Sequence, residues 1–446
     1  MEDFDLAPLE ARALALVEAA KKAGADAADA VVASSRSTGV DVRLGKIEET
    51  DSSENDAFSL RAFVGDRSAA VSANRGGDVN QLAERVVAMA KVSPDNPHAG
   101  LADIDRLATA IPTLDLLSSE TWSEEEMAER AREMEDAAMS IDCVEQISGA
   151  SCGQGLGGTV LATSHGFLGS YAASRFSLSV AAVARGKDGM ERDYDFDTRR
   201  FPSDLRSARD IGLEAGKRAS RRVDPKPVKT GSVPIVFEPR AGRSIAGDML
   251  GAINGTSVAR KTTFLREKMG EAIAHSGLTL RDLPLIKRGI ASRAFDGEGV
   301  ACEELVLIQD GVLCEWLLDS ASARELGLAT NGRANRSGSS TSPGSTNVQI
   351  DAGTKTAKEV LSTVVEGFFV TELIGQGVNL VTGDYSRGAS GFWIENGELT
   401  HPVSEVTIAG NLADMFANII LADDVTTDSA INVPTMLVEG MTLAGN

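Results

Sequence analysis

The sequence predicts an α+β protein of two domains, each an antiparallel sheet of hairpins flanked by amphipathic helices. Residues 367–414 are the first observation. They hold three apolar, β-branched runs, 368–374, 378–382 and 392–395, divided by glycines. Asn396-Gly397 joins the last run to 398–403, and an Asn-Gly pair between such runs is the strongest short-range hairpin signal. Asn411 then stands as an N-cap, with Leu412, Met415, Phe416, Ile419 and Ile420 at helical spacing. The second observation is the tether Asp224-Pro-Lys-Pro-Val-Lys-Thr-Gly231, stiff and polar, expected to lie outside either core. It divides an N-terminal domain, 1–223, from a β-rich C-terminal domain, 232–446.

The elements follow in order. Residues 6–24 read as a helix, 28–34 and 40–49 as alternating strands, and 57–64 with 67–74 as a hairpin about Gly65-Asp66. Asp78 caps a helix that Pro94 and Pro97 stop, since proline cannot continue the hydrogen-bond ladder. Ser123 and Glu126 form a capping box at the head of a helix ending near Ile141. Residues 144–183 are β in pattern. They contain Gly153-x-Gly155-x-x-Gly158, whose use as a dinucleotide fingerprint needs a helix after it. A strand-like run follows instead, so the glycines are expected to form a turn between strands. Residues 204–222 read as a charged helix, 233–238 as a strand and 241–253 as a helix. The low-complexity stretch 331–346 reads as a loop, either mobile or ordered by a ligand or partner.

Composition narrows the function. The 446 residues carry 44 Lys and Arg against 65 Asp and Glu, a net charge of −21 that repels a phosphate backbone and argues against nucleic-acid binding. The start is acidic, unlike a secretory signal, and no apolar run of about 18 residues exists to span a bilayer, so a cytoplasmic protein with no membrane partner is expected. Cys143, Cys152, Cys302 and Cys314 lack CxxC spacing and are expected to be reduced.

Beyond the elements, the wording of the chain carries a resemblance. The run VTELIGQGVNLVTGDYSRGASGFWIENGELTHPVSEVTIAGNL resembles the C-terminal signature of the TldD/PmbA family, also called modulator of DNA gyrase, and is closest to its PmbA (TldE) branch. GSYAASRFSLSV (169–180), residues 231–238, RKTTFL (260–265) and FDGEGVACEELVLIQDGVL (295–313) extend it over nearly the whole chain. In the TldD branch the family implies a zinc peptidase, with a helical His-Glu-x-x-x-His motif and a C-terminal cysteine. The matching helix here, 241–253, holds no histidine, cysteine or glutamate, and Ala246, Gly247, Asp248 and Met249 stand as the degenerate counterpart of the metal-site helix. No catalytic or metal-ligating residue is therefore assigned to this chain, and no cofactor.

The resemblance thus implies a non-catalytic subunit, pairing with a zinc-bearing TldD-type homologue, with itself, or both, and handling unstructured peptides. Glu372, Gln376, Asp384, Tyr385, Ser386 and Arg387 are the candidate substrate or partner contacts, with Asp384–Arg387 read as a turn. Glycine-rich strands there would leave an edge open to an extended peptide. Two alternatives stand beside this reading: a stand-alone hydrolase with a site near Ser386, whose only nearby base in sequence is His401, and a homo-oligomeric peptide-binding or scaffold protein. His98, His165, His275 and His401 are too far apart in sequence for a local metal motif, and His275 is expected at a helix C-terminus. Asp296-Gly-Glu298 and Cys302-Glu-Glu304 are carboxylate-rich, but paired acids need a cleft, which a sequence does not display.

Overall fold

A computed structural model describes residues 4–74, 77–187 and 189–445. The N-terminal part is a single antiparallel six-stranded sheet built from β1 (Ala27–Arg43), β2 (Lys46–Val64), β3 (Arg67–Asn74), β4 (Val144–Thr163), β5 (Leu168–Arg185) and β6 (Met190–Arg199), in the order β3-β2-β1-β4-β5-β6. Four helices lie on it: α1 (Ala7–Lys22), α2 (Val79–Val92), α3 (Glu124–Met139) and α4 (Ala208–Arg221). Side chains alternate along a strand, and it is the even-numbered set of β1 that meets the helices. Ala28, Ala30 and Val32 pack with the α1 and α2 residues Leu16, Ala20 and Val86, while Val40 and Val42 pack with the α3 and α4 residues Met127, Met134 and Ile211.

The start signals read in the sequence are present as hydrogen bonds. Asp78 accepts from the N–H of Gln81 at the head of α2, and Ser123 with Glu126 completes its capping box at α3. Two expectations fail in this sheet. Residues 40–49 are not one strand, because Leu44 (φ 53°) and Gly45 (φ 71°) turn the chain back between β1 and β2. Gly153, Gly155 and Gly158 form no turn but lie inside β4, paired with Gly39, Ser37 and Ser34 of β1. At Gly158 the reason is space, since a Cβ there would come within 2.2 Å of the Phe4 ring.

The C-terminal part opens with β7 (Gly231–Phe237) and helix α5 (Pro239–Ala252). A small sheet follows from β8 (Leu280–Asp282), β9 (Leu305–Gln309), β10 (Val312–Leu313), β13 (Val348–Ile350) and β19 (Ile431–Asn432), with a separate hairpin of β11 (Ala334–Ser337) and β12 (Ser340–Pro343). The third sheet takes β7 together with β14 (Glu366–Ile374), β15 (Val378–Asn379), β16 (Asp384–Glu395), β17 (Glu398–Asn411), β18 (Ile419–Leu421) and β20 (Met436–Ala444). Its ladder closes on itself. β14 pairs β7, β7 pairs β20, β20 pairs β17, β17 pairs β16, and β16 returns to β14, with only β14–β7 parallel. The core of this half, including Phe237, Met249, Phe368 and Phe416, is buried inside and around that ring.

The Asn396-Gly397 hairpin has both central residues at positive φ, 51° and 82°, with Glu395 opposite Glu398 as a two-residue turn requires. The helix capped by Asn411 is shorter than its periodicity predicts. It ends at Ala417, and Ile419–Leu421 leaves it to pair with β20 as β18. The 224–231 tether is not outside the cores, because Val228 is buried with the C-terminal cluster and the N–H of Lys226 donates to Pro402 O at 2.9 Å. Residues 331–346 are ordered by the chain itself: Arg333 is fully buried against Asp282, and β11–β12 stands against the N-terminal sheet. His275 ends no helix; its Nδ1 accepts from the N–H of Gly277 in a loop.

Candidate functional site

The residues singled out around 384–387 form a strand rather than a turn, and the strand's period sorts them. Tyr385 and Arg387 point one way, toward α5, whereas Asp384 and Ser386 are exposed on the opposite side. Arg387 Nη1 donates to Ser244 Oγ of α5 at 2.9 Å. One turn further along the same helix, Asp248 feels the Arg387 charge, and Tyr385 in turn feels Asp248. Ser244, Asp248, Tyr385 and Arg387 are thus one polar cluster at the junction of helix and ring.

The cluster is short of partners. Asp248 Oδ2, the Tyr385 hydroxyl and Arg387 Nε are buried without a hydrogen-bond partner among the described residues. Burial pushes the Asp248 carboxyl up to about 6, because Arg387 only partly offsets the lost hydration. Burial likewise raises the Tyr385 phenol, so it stays protonated and available as a donor. Of the other residues expected as counterparts of the metal-site helix, Ala246 and Met249 are fully buried core, and Gly247 has open space beside its Cα. Asp248 alone of the four carries chemistry.

The remaining candidates scatter. Glu372 is held by Arg222 at 2.6 Å in an ion network with Asp193 and Arg240 that ties β6 and α4 to β14, which is a structural role. Gln376 is exposed in the bend before β15. Asp384 accepts from Thr382 Oγ1 at 2.6 Å. Ser386 is exposed and faces away from the cluster. Its partner on β17 is Ala409, so His401 lies eight residues along that strand (409 minus 401), roughly 26 Å at a strand's rise. A Ser386–His401 nucleophile is therefore ruled out by register.

Within 367–410 the 388–395 part of β16 has strands on both sides, whereas β14 is flanked on both sides only at 368–370. Among the described residues, 371–374 of β14, β15 and the 398–406 part of β17 leave a strand edge open, as expected from the sequence.

Three matches to family models cover the chain. Residues 28–90 match PmbA/TldA metallopeptidase domain 1, residues 118–223 the central domain, and residues 230–445 the C-terminal domain. The chain is 37% identical over 422 residues to Metalloprotease PmbA of Escherichia coli, covering 93% of this chain and 92% of that one. The chain belongs to the PmbA/TldD metallopeptidase family. A Metalloprotease PmbA homolog of Haemophilus influenzae is 35% identical over 437 residues, covering 96% of this chain and 94% of the other. Among solved structures, a modulator of DNA gyrase from Bacteroides thetaiotaomicron superposes with a TM-score of 0.89 at 26% identity over 98% of this chain and 99% of that one. TldE of Thermococcus kodakarensis shares the fold, with a TM-score of 0.87 at 22% identity over 97% of this chain and all (100%) of the other.

A family of metallopeptidases implies a catalytic metal, and the residues on α5 do not fit one. Zinc in such a site takes three protein ligands from His, Cys and carboxylates. Here the helix offers a serine hydroxyl and one carboxyl, with the Arg387 guanidinium seated against them. Among the described residues no group of three or more His, Cys, Asp or Glu side chains is placed to hold a metal ion. All four cysteines are free. Cys152 and Cys302 are buried, and burial pushes both thiols up to about 12, away from ligation as thiolates.

One cluster was underrated in the sequence. Asp296 and Glu298 are both buried, and Asp296 lines a cleft. Asp296 accepts from the N–H groups of Glu298, Val300 and Ala334, while Glu298 accepts from Ser320 and lies 3.8 Å from Arg61. Burial, with Asp296 adding to it, pushes the Glu298 carboxyl up to about 7. Arg61 also pairs with Asp29, which in turn holds Arg336 at 2.7 Å. The signal available beforehand was the spacing of the acids; Arg61, which faces Glu298, lies 237 residues away in the chain (298 minus 61).

Proposed function

We propose that this chain is the metal-free subunit of a cytoplasmic two-protein peptidase, pairing with a zinc-bearing TldD-type homologue and acting on unstructured peptides. The observation that carries the reading is α5. On the helix matched to the family's metal site, Arg387 of β16 is hydrogen-bonded to Ser244 and stands by Asp248. A fixed cation beside the one carboxyl disfavours a divalent ion there. The same guanidinium suits a contributory role, orienting a peptide carbonyl or a partner's loop across the junction of α5 and β16.

Within this reading no proton transfer or nucleophilic step is assigned to the chain. Tyr385 and Arg387 offer donors to a backbone carbonyl, and Asp248 offers an acceptor to a backbone N–H. Recognition through main-chain groups tolerates many side-chain sequences, as a peptidase for unstructured segments requires.

The test is cleavage of an unstructured fluorogenic peptide by this chain, by its TldD-type homologue, and by the two mixed, each with and without a strong chelator. The expected result is activity in the mixture that the chelator abolishes, and none from this chain alone. Chelator-resistant cleavage by the isolated chain would overturn the proposal.

A further inference from the structure

The odd-numbered face of β1 looks away from the helices and toward the C-terminal half. There, between the N-terminal sheet and the β11–β12 hairpin, lies a cleft of about 610 Å³. Its floor is Val31, Ala33 and Leu161, and its far wall is Phe295, Arg293 and Arg336. The peptidase reading does not use it, and none of its lining residues belongs to α5 or β16.

Its polar groups are built for an occupant. Arg336 is only 6% exposed, and its position is fixed by Asp29 and Ser59, which take Nη2, and by Gly338 O, which takes Nε. Arg336 Nη1 is buried with no partner among the described residues. Arg293 also lines the cleft; its Nη1 is held by Asn335 and its Nη2 donates to Gly344 O, while its buried Nε is unpartnered. Leaving a charged donor unpaired in a buried site costs more than an ordinary missing hydrogen bond, so two guanidiniums lining one cleft, each with an N–H left over, favour an acceptor that a small shift of either side chain would let complete them. The acid in the cleft does not fill that role, because both Asp296 oxygens are taken by backbone N–H groups.

We propose that this cleft binds a small carboxylate with an apolar or aromatic body, its carboxylate accepting from Arg336 and Arg293 and its body lying on Val31, Leu161 and Phe295. A carboxylate matches the short guanidinium contacts and carries one charge. The apolar floor is what an inorganic anion would leave unused, and the volume lies in the range of small-molecule sites. The proposal stands independently of the peptidase reading.

Titration calorimetry on the full-length protein, with N-acetyl-phenylalanine as the probe, tests it against three controls: the corresponding amide, phenyl phosphate and inorganic phosphate. The expected result is that the carboxylate binds at least about tenfold tighter than the amide and than inorganic phosphate. Arg293→Gln should weaken the carboxylate and leave the amide unchanged. Because Arg336 is part of a buried ion cluster, the steric variant Ser342→Trp, at an exposed lining position, blocks the mouth without touching a charge and should abolish binding with an unchanged melting temperature. No binding of the carboxylate, equal binding of acid and amide, inorganic phosphate or phenyl phosphate binding as tightly as the carboxylate, or full binding by Ser342→Trp would each overturn the proposal.

Discussion

Arg387 and Ser244 lie 143 residues apart in the chain, and a 2.9 Å hydrogen bond between them fastens β16 to the outer face of α5. The contact fixes which way the strand presents its side chains. It turns Tyr385 and Arg387 inward, and it leaves Asp384 and Ser386 to solvent. It also identifies the first position at which function and folding can be separated.

Arg387→Ala should lower the activity of the mixture with the TldD-type homologue while the protein stays folded. The cost in stability should be about 1–2 kcal/mol, since one charge-assisted hydrogen bond at a half-buried site is lost. Melting curves and peptide cleavage by the same preparation check the two effects together. Wild-type activity in the mixture would remove Arg387 from the functional reading.

Asp248→Asn should stabilise the protein at neutral pH. Burial holds the folded carboxyl at about 6, above its ordinary 3.8. The folded state therefore binds the proton more tightly than the unfolded state, and stability falls as pH rises from about 4 to about 6, then levels off. Asparagine removes that penalty. The gain above pH 6 should be about 1–2 kcal/mol, allowing for the partial solvent exposure of the group, and should vanish near pH 4. Urea denaturation at pH 4, 5.5 and 7.5 measures it, and a gain that does not change with pH would contradict the assignment.

Asp29→Asn should have the opposite character and a larger cost. Burial disfavours this carboxylate, but Arg336 and Arg61 outweigh it and hold the carboxyl at about 2, below its ordinary 3.8. Its stabilisation is present above about pH 4 and is lost as pH falls toward 2. Removing the charge leaves two guanidiniums facing each other in a buried site, at a cost of about 3–5 kcal/mol. Proteolysis should then cut first in the β11–β12 hairpin, which Arg336 ties to the N-terminal sheet. A variant whose hairpin resists protease as the wild type does would show the pair to be dispensable.

Gly397→Val should destabilise the third sheet by about 1–3 kcal/mol through backbone strain. Gly397 sits at φ 82°, and a Cβ there would approach Ser362 Cα to 2.8 Å. Thermal unfolding monitored by circular dichroism checks the cost, with Gly397→Ala as the milder comparison.

The parts of the fold that were legible are those in which neighbouring residues settle the geometry between themselves. Asp78, Ser123 and Asn411 cap their helices because the side chain reaches an N–H two or three residues on. The Asn396-Gly397 turn was legible for the same reason. What was not legible depends on the far end of the chain. Gly158 reads as a turn residue until Phe4 is seen to lie on it, and 331–346 reads as a loop until Arg336 is seen to meet Asp29. The candidate site divides in the same way. Its residue types were visible, but Asp384–Arg387 gave no sign of being a strand, because its pairing along its full length comes from 408–411. Once the strand is known, its period selects Tyr385 and Arg387 and discards Ser386.

The closed ring of the third sheet has a kinetic consequence. Its strands are contributed by β7, near the middle of the chain, and by β20, residues Met436–Ala444, which lies between β7 and β17. During synthesis the ring stays open until β20 has left the ribosome, although β7, β14, β16 and β17 have already been made. The pairing of β20 with β7 spans about two hundred residues, a loop closure of the kind that slows folding. Until that closure, β7 and β17 each display an unpaired flank, so the nascent chain is most exposed to strand-to-strand aggregation between the synthesis of β17 and the pairing of β20.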